Sequence, residues 1–156
     1  MTGTILIAED NPGDAVLLRR AFKQLQIINP LQIVRDGREV LDYLQGLAKF
    51  KDRNRFPMPV LLLLDLRMPR MDGFEVLRWL RARPRRTYAI VVLTALEQLS
   101  GIRRAYRLGA DSFLTKPLGL QDLRNLMEGV AGLRLKRSSK GTLLEYTPPF
   151  AAKKSA

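Results

Sequence analysis

The run Val60-Leu61-Leu62-Leu63-Leu64 ends in Asp65 and breaks into the loop "LRMPRMDG". Five consecutive apolar residues without polar alternation describe a strand covered on both faces, because a strand with one wet face alternates apolar and polar side chains. Covering both faces takes helices, and the chain supplies them. Shorter apolar runs recur as "TILIA" (4–8), "LQIV" (31–34), "AIVVL" (89–93) and "SFLT" (112–115). Helical spacing fills the intervals: Ala15, Leu18, Phe22 and Leu25; Val40, Leu44 and Leu47; Phe74, Leu77 and Leu80; Ile102, Ala105 and Tyr106, closed by Gly109 at a C-cap; and Leu120, Leu123, Met127 and Val130. A βα unit repeated in this way predicts an α/β fold with a five-stranded parallel sheet and helices on both faces. Each parallel connection must cross over, right-handed, through a helix. In such sheets ligands bind outside the carboxyl ends of the strands, and Asp65 stands at one.

The chain of 156 residues has no cysteine and no histidine. Disulfides, thiolate metal sites, cysteine nucleophiles and histidine general bases are thereby excluded. The N-terminus "MTGTILIAED" has neither the basic start nor the long apolar run of a signal peptide, so a cytoplasmic protein without a membrane span is expected. Lys and Arg number 27 against 15 Asp and Glu, a formal charge of +12. The arginines group around the third and fourth helices (Arg78, Arg81, Arg83, Arg85, Arg86; Arg103, Arg104, Arg107), with Lys49, Lys51, Arg53 and Arg55 in the connection 45–59. So scattered a shell reads first as a solvated surface, then as a dock for acidic partners, and last as a nucleic-acid surface. No helix-turn-helix pattern or interleaved aromatic platform supports the last.

Residues 1–134 read as one domain, with "QGLAKFKDRNRFPMP" (45–59) as a long basic connection before the third strand. Residues 135–156 read as a C-terminal extension without an effector domain. This tail is expected to be partly disordered, with "TLLEYT" as a candidate strand against the body or another chain.

Set side by side, the strand ends bring together Glu9 and Asp10, Asp65, Thr94 and Lys116. Three carboxylates in one crevice repel unless a cation sits among them or protons stay on. A hard divalent ion such as Mg²⁺ suits such a set, being held by one or two carboxylates with waters and phosphate oxygens. Lys116 offers a point charge for a phosphate, Thr94 a hydroxyl, and the Leu66–Arg67 turn backbone N–H donors. A carboxylate is ionised at neutral pH, so Asp65 can attack phosphorus with no general base.

The motifs "AED" (8–10), "LLDLRMPRMDG" (63–73), "VLTA" (92–95) and "FLTKP" (113–117) resemble the receiver domain of bacterial two-component response regulators, over residues 4 to about 132. The resemblance implies a doubly wound, flavodoxin-like sheet of order 2-1-3-4-5. It makes Asp65 the phospho-acceptor, with Mg²⁺ or Mn²⁺ held by Asp10, Asp65 and the backbone carbonyl of Arg67, and by Glu9 through a water. Lys116 contacts the phosphoryl group, Lys116–Pro117 is a cis peptide, and Thr94 and Phe113 form the switch pair. The donor is then a phosphohistidine on a sensor histidine kinase, and the "FLTKP" wording and long connection look most like stand-alone receivers that partner bacterial phytochrome-type kinases. Such a protein is no enzyme beyond its own phosphorylation and dephosphorylation. Its output is a partner protein, with homodimerisation open. Arg67 and Leu96 take the positions that tune water attack, and neither offers an amide or carboxylate to orient a water, so slow self-dephosphorylation follows. Asp72 reads as the N-cap of the third helix. A basic nucleic-acid-binding or constitutive scaffold protein on the same fold is the alternative.

Overall fold

A computed structural model describes residues 2–83 and 86–149; Arg85 and the last seven residues of the tail lie outside the described residues. In chain order the elements are β1 (Thr4–Ala8), α1 (Pro12–Gln24), β2 (Leu31–Val34), α2 (Gly37–Gln45), β3 (Pro59–Asp65), α3 (Gly73–Arg81), β4 (Ala89–Thr94), α4 (Ile102–Arg107), β5 (Ser112–Thr115), α5 (Leu120–Gly129), β6 (Leu133–Ser138) and β7 (Gly141–Tyr146). The first five strands form one sheet in the order β2-β1-β3-β4-β5, every pairing parallel.

The apolar run of β3 sorts its side chains to two cores, as a strand buried on both faces must. Leu61 and Leu63 pack with Ile5, Ile7, Leu18 and Phe22 of β1 and α1 and with Leu123 and Met127 of α5. Leu62 and Leu64 pack with Leu6 and with Val40, Val76 and Leu77 of α2 and α3. All four leucines are fully buried, which fixes β3 and the backbone of Asp65 rigidly.

Three helices start on side-chain caps that accept an orphan backbone N–H. Asn11 accepts from Asp14, Asp36 from Glu39, and Asp72 from Glu75. Asp72 is thus the cap its sequence position predicts. The second helix ends earlier than its apolar spacing suggests, because Gly46 adopts φ 69° and leaves Leu47 beyond the helix, exposed.

Residues 45–59 are packed at the end of the sheet away from Asp65. Phe50 is buried, with ring centroids 5.0 Å from Tyr43 and 5.2 Å from Phe56. Arg53 donates to the carbonyls of Tyr43 and Leu44 at 2.8 Å, satisfying α2's terminal acceptors.

The described part of the tail is folded, and the expectation of partial disorder for its last seven residues lies outside the described residues. β6 and β7 form an antiparallel hairpin whose Leu133 and Leu144 enter the core, so a boundary at 134 falls inside β6. "TLLEYT" is a strand, pairing with β6 and touching the body through Ile28 N to Thr142 O at 2.9 Å and Thr142 N to Gln26 O at 2.7 Å. Buried Asn29 exchanges two hydrogen bonds with the Leu144 backbone at 2.7 and 2.9 Å. Among the described residues, no helix is long and apolar enough to cross a membrane.

Candidate functional site

The carboxyl ends of β1, β3, β4 and β5 converge on one crevice. Asp65 closes β3 and Thr94 closes β4, both buried; Glu9 follows β1, also buried, and Asp10 beside it is exposed. Carboxylate oxygens of Glu9, Asp10 and Asp65 lie within 4.8 Å of one another. Lys116 Nζ stands 2.8 Å from Asp65 Oδ2, 2.5 Å from Glu9 Oε1 and 3.3 Å from Asp14 Oδ2. The Arg67 amide donates to Asp65 Oδ1 at 3.0 Å. Each oxygen of Asp65 therefore has a donor, one charged and one backbone.

Local structure accounts for each position. Lys116 is placed by its backbone N–H on the Thr94 carbonyl at 2.8 Å, and the Lys116–Pro117 peptide is cis. Gly73 lets α3 begin against the end of β3, since a Cβ there would meet Asp65 O at 2.6 Å. Thr94 points its hydroxyl at the Ala95 carbonyl, 3.3 Å away. Phe113 is half-buried, registered opposite Val92 and edge-on to Tyr106 at 6.3 Å. Leu96 and Arg67 are both exposed. With the Gln98 amide oxygen and nitrogen exchanged, its oxygen accepts from Arg67 Nη1 and Nη2 at 3.1 and 3.2 Å, and Asp10, Arg67 and Gln98 help to line a cavity of about 690 Å³.

The electrostatics favour a cation. Burial, and then the neighbouring Asp65, push the Glu9 carboxyl up to about 7, against the opposing pull of Lys116. Burial works to lower the Lys116 pKa, but its interactions as donor to the Asp65 and Glu9 carboxylates outweigh it and leave the lysine raised. Although Lys116 Nζ touches Glu9 Oε1, that oxygen is buried without a well-aligned hydrogen bond. A hard, oxygen-seeking divalent ion fits three carboxylates so arranged, one of them under-satisfied.

The structure adds residues that the sequence reading passed over. Asp14, in the first turn of α1, is a third carboxylate on Lys116 beside Asp65 and Glu9; the acid-rich string "EDNPGD" was its signal. The loop after Asp65 is also tied to α2. Arg70, at φ 63°, donates through Nε to the buried Asp36 carboxylate at 2.8 Å, and Gly37 N–H reaches Met71 O at 2.9 Å. Asp36→Ala removes the α2 cap and this tie together. Loss of the cap alone is expected to lower stability by about 0.5–2 kcal/mol, read from the urea midpoint.

The response regulator receiver domain profile matches residues 5–128. The chain belongs to the response regulator receiver family. The receiver is 38% identical over 127 residues to the probable methanogenesis regulatory protein FilR2 of Methanothrix harundinacea, covering 81% of this chain and 79% of that protein. It is 32% identical to response regulator Rcp1 of Synechocystis, over 85% of this chain and 88% of Rcp1. Among solved structures, response regulator RPA3017 in red light signalling of R. palustris matches with TM-score 0.72 and 34% identity, covering 86% of this chain and 99% of that one. Bacteriophytochrome response regulator RtBRR matches with TM-score 0.79 and 28% identity over 98% and 88% of the two chains. The Mn²⁺-bound form of Rcp1 matches with TM-score 0.70 and 30% identity over 86% and 99%. The flavodoxin-like sheet order is the one the receiver resemblance implied.

Proposed function

We propose that this receiver accepts a phosphoryl group on Asp65 from a phosphohistidine of a sensor histidine kinase of the phytochrome type, in the cytoplasm, and thereby changes a protein-docking face. The observation that carries the reading is Asp65 itself: a buried carboxylate held between the Lys116 ammonium and the Arg67 amide, beside Glu9 and Asp10. The red-light and bacteriophytochrome regulators it resembles support the choice of kinase.

In the transfer, an Asp65 carboxylate oxygen forms a bond to phosphorus as the phosphorus–nitrogen bond of the phosphohistidine breaks. The imidazole leaves with that electron pair and takes up a proton. Lys116, already on Asp65 Oδ2, needs only a small displacement to pair with a phosphoryl oxygen. The Arg67 amide orients the attacking carboxylate, and buried Thr94 lies where its hydroxyl can turn toward the new phosphoryl group, Phe113 following as its switch partner. A divalent ion bound here neutralises phosphoryl charge. Asp10, Asp65 and the Arg67 carbonyl would hold it, with Glu9 through a water; the grouping of the three carboxylates and a relative crystallised with Mn²⁺ support a divalent ion here. The chemistry of the protein is limited to its own phosphorylation and dephosphorylation.

Acetyl phosphate with Mg²⁺ is expected to add one phosphoryl group per wild-type chain by intact mass, and none to Asp65→Asn. Full labelling of that variant would sink the reading. Arg67 and Leu96, the positions that the receiver resemblance makes tune water attack, offer neither an amide nor a carboxylate side chain to orient that water. An Arg67→Asn, Leu96→Glu double variant is expected to lose its phosphoryl group about 10-fold faster or more, general-base assistance contributing roughly 10²-fold when well placed. Equal decay rates would contradict this.

A further inference from the structure

The helices α3 and α4 carry arginine and no lysine. Arg81 donates through its guanidinium to the Arg107 carbonyl, joining the end of α3 to the end of α4. Phe74 of α3 lies under the start of α4, where a Cβ on Gly101 would stand 2.8 Å from its ring. Arg78, Arg81 and Arg83 at the end of α3 and Arg103, Arg104 and Arg107 on α4 are all exposed, and the contacts of Arg81 and Arg104 cross between the two helices. Among the described residues none of them forms an ion pair, whereas neighbouring Arg86 pairs with both oxygens of Asp111.

Two of the guanidiniums are held in place beforehand. Arg83 lies 3.4 Å from the Trp79 ring centroid and donates to the Trp79 carbonyl at 2.9 Å, and Arg104 lies 4.4 Å from the Phe74 centroid. Stacking of this kind removes rotamer freedom in advance, so less entropy is lost when the fork meets an anion. Cations in a helix's last turn also answer the helix dipole, but that effect fades within one turn and does not account for Arg83 beyond α3 or Arg103 at the start of α4.

We propose that the α3–α4 face docks an acidic protein segment, whose carboxylates are taken up by these arginine forks. Single-stranded nucleic acid is disfavoured on this face, because the rings that would stack bases, Trp79 and Phe74, already carry guanidiniums. Short helices packed against the sheet also do not present a groove-reading element. Nothing in this proposal depends on phosphorylation of Asp65.

The test is fluorescence anisotropy of a labelled oligoglutamate peptide at 150 mM salt against three proteins: wild type, an Arg78→Gln, Arg103→Gln, Arg107→Gln variant, and a Lys136→Gln, Arg137→Gln, Lys140→Gln variant. Both variants remove three positive charges from exposed side chains, and circular dichroism verifies that each is folded. About tenfold weaker binding by the α3–α4 variant, with less than about twofold change in the hairpin variant, is expected, since interface charge pairs are worth more than distant charge. Equal weakening of both would show that net charge alone attracts the peptide. Absence of wild-type binding, or tighter binding of a duplex DNA probe at the same salt, would likewise overturn the proposal.

Discussion

Replacing Lys116 with methionine is expected to slow acetyl phosphate labelling of Asp65 by about 10²–10³-fold, the usual loss when a preorganised charge is removed from a reacting centre. The ammonium touches Asp65, Glu9 and Asp14 at once, so it already stands where charge on the transferring phosphoryl oxygens develops. Methionine keeps the apolar stem and packing while deleting the charge. The same deletion leaves the carboxylates more negative, so Mn²⁺ titrated calorimetrically should bind more tightly. Slow labelling with tighter metal binding separates a chemical role from a collapsed site. An unchanged rate at saturating Mg²⁺ would make Lys116 a structural counter-ion only.

Glu9→Gln is expected to stabilise the protein when no divalent ion is present. The folded carboxyl is raised from 4.5 to about 7, so between those values the folded state holds more proton than the unfolded chain. Stability from this group is full below pH 4.5 and is lost as pH rises through 7. Above pH 7 the ionised, buried Glu9 is a standing cost, and the glutamine lifts it by about 1–3 kcal/mol at roughly 1.4 kcal/mol per pKa unit. Below pH 4.5 variant and wild type should converge. Mg²⁺ should raise the wild-type urea midpoint at pH 7.5 more than that of the variant, because it offsets the repulsion the glutamine has already removed. Parallel midpoints across the pH range would contradict the account of Glu9 as a carboxylate kept for its metal.

Much of this was legible because the chemistry follows the strands directly. Asp65 and Thr94 end apolar strands, and Glu9 and Lys116 come immediately after them, so a parallel sheet leaves them side by side. Sequence distance hid the supports. Asp14 meets Lys116 across 102 positions, and Asp36 meets Arg70 across 34, with no local pattern to announce either contact. Arg70 sits at φ 63°, a conformation its residue type rarely adopts. The hairpin escaped because Leu133 and Leu135 alternate with Arg134, Lys136 and Arg137, and the period-2 signal was outweighed by a basic, serine-containing composition. Asn29, which fastens the hairpin, lies 115 residues from its partner Leu144.

Borohydride reduction of the acetyl phosphate-treated protein, followed by peptide mapping, locates the phosphorylated residue, because an aspartyl phosphate is reduced to homoserine while an unmodified carboxylate is not. Homoserine is expected at position 65 in the peptide spanning "VLLLLDLRMPR", dependent on Mg²⁺ or Mn²⁺. Homoserine at position 10 or 14 instead, or an unreduced Asp65 in a protein that carries the phosphoryl group, would contradict it.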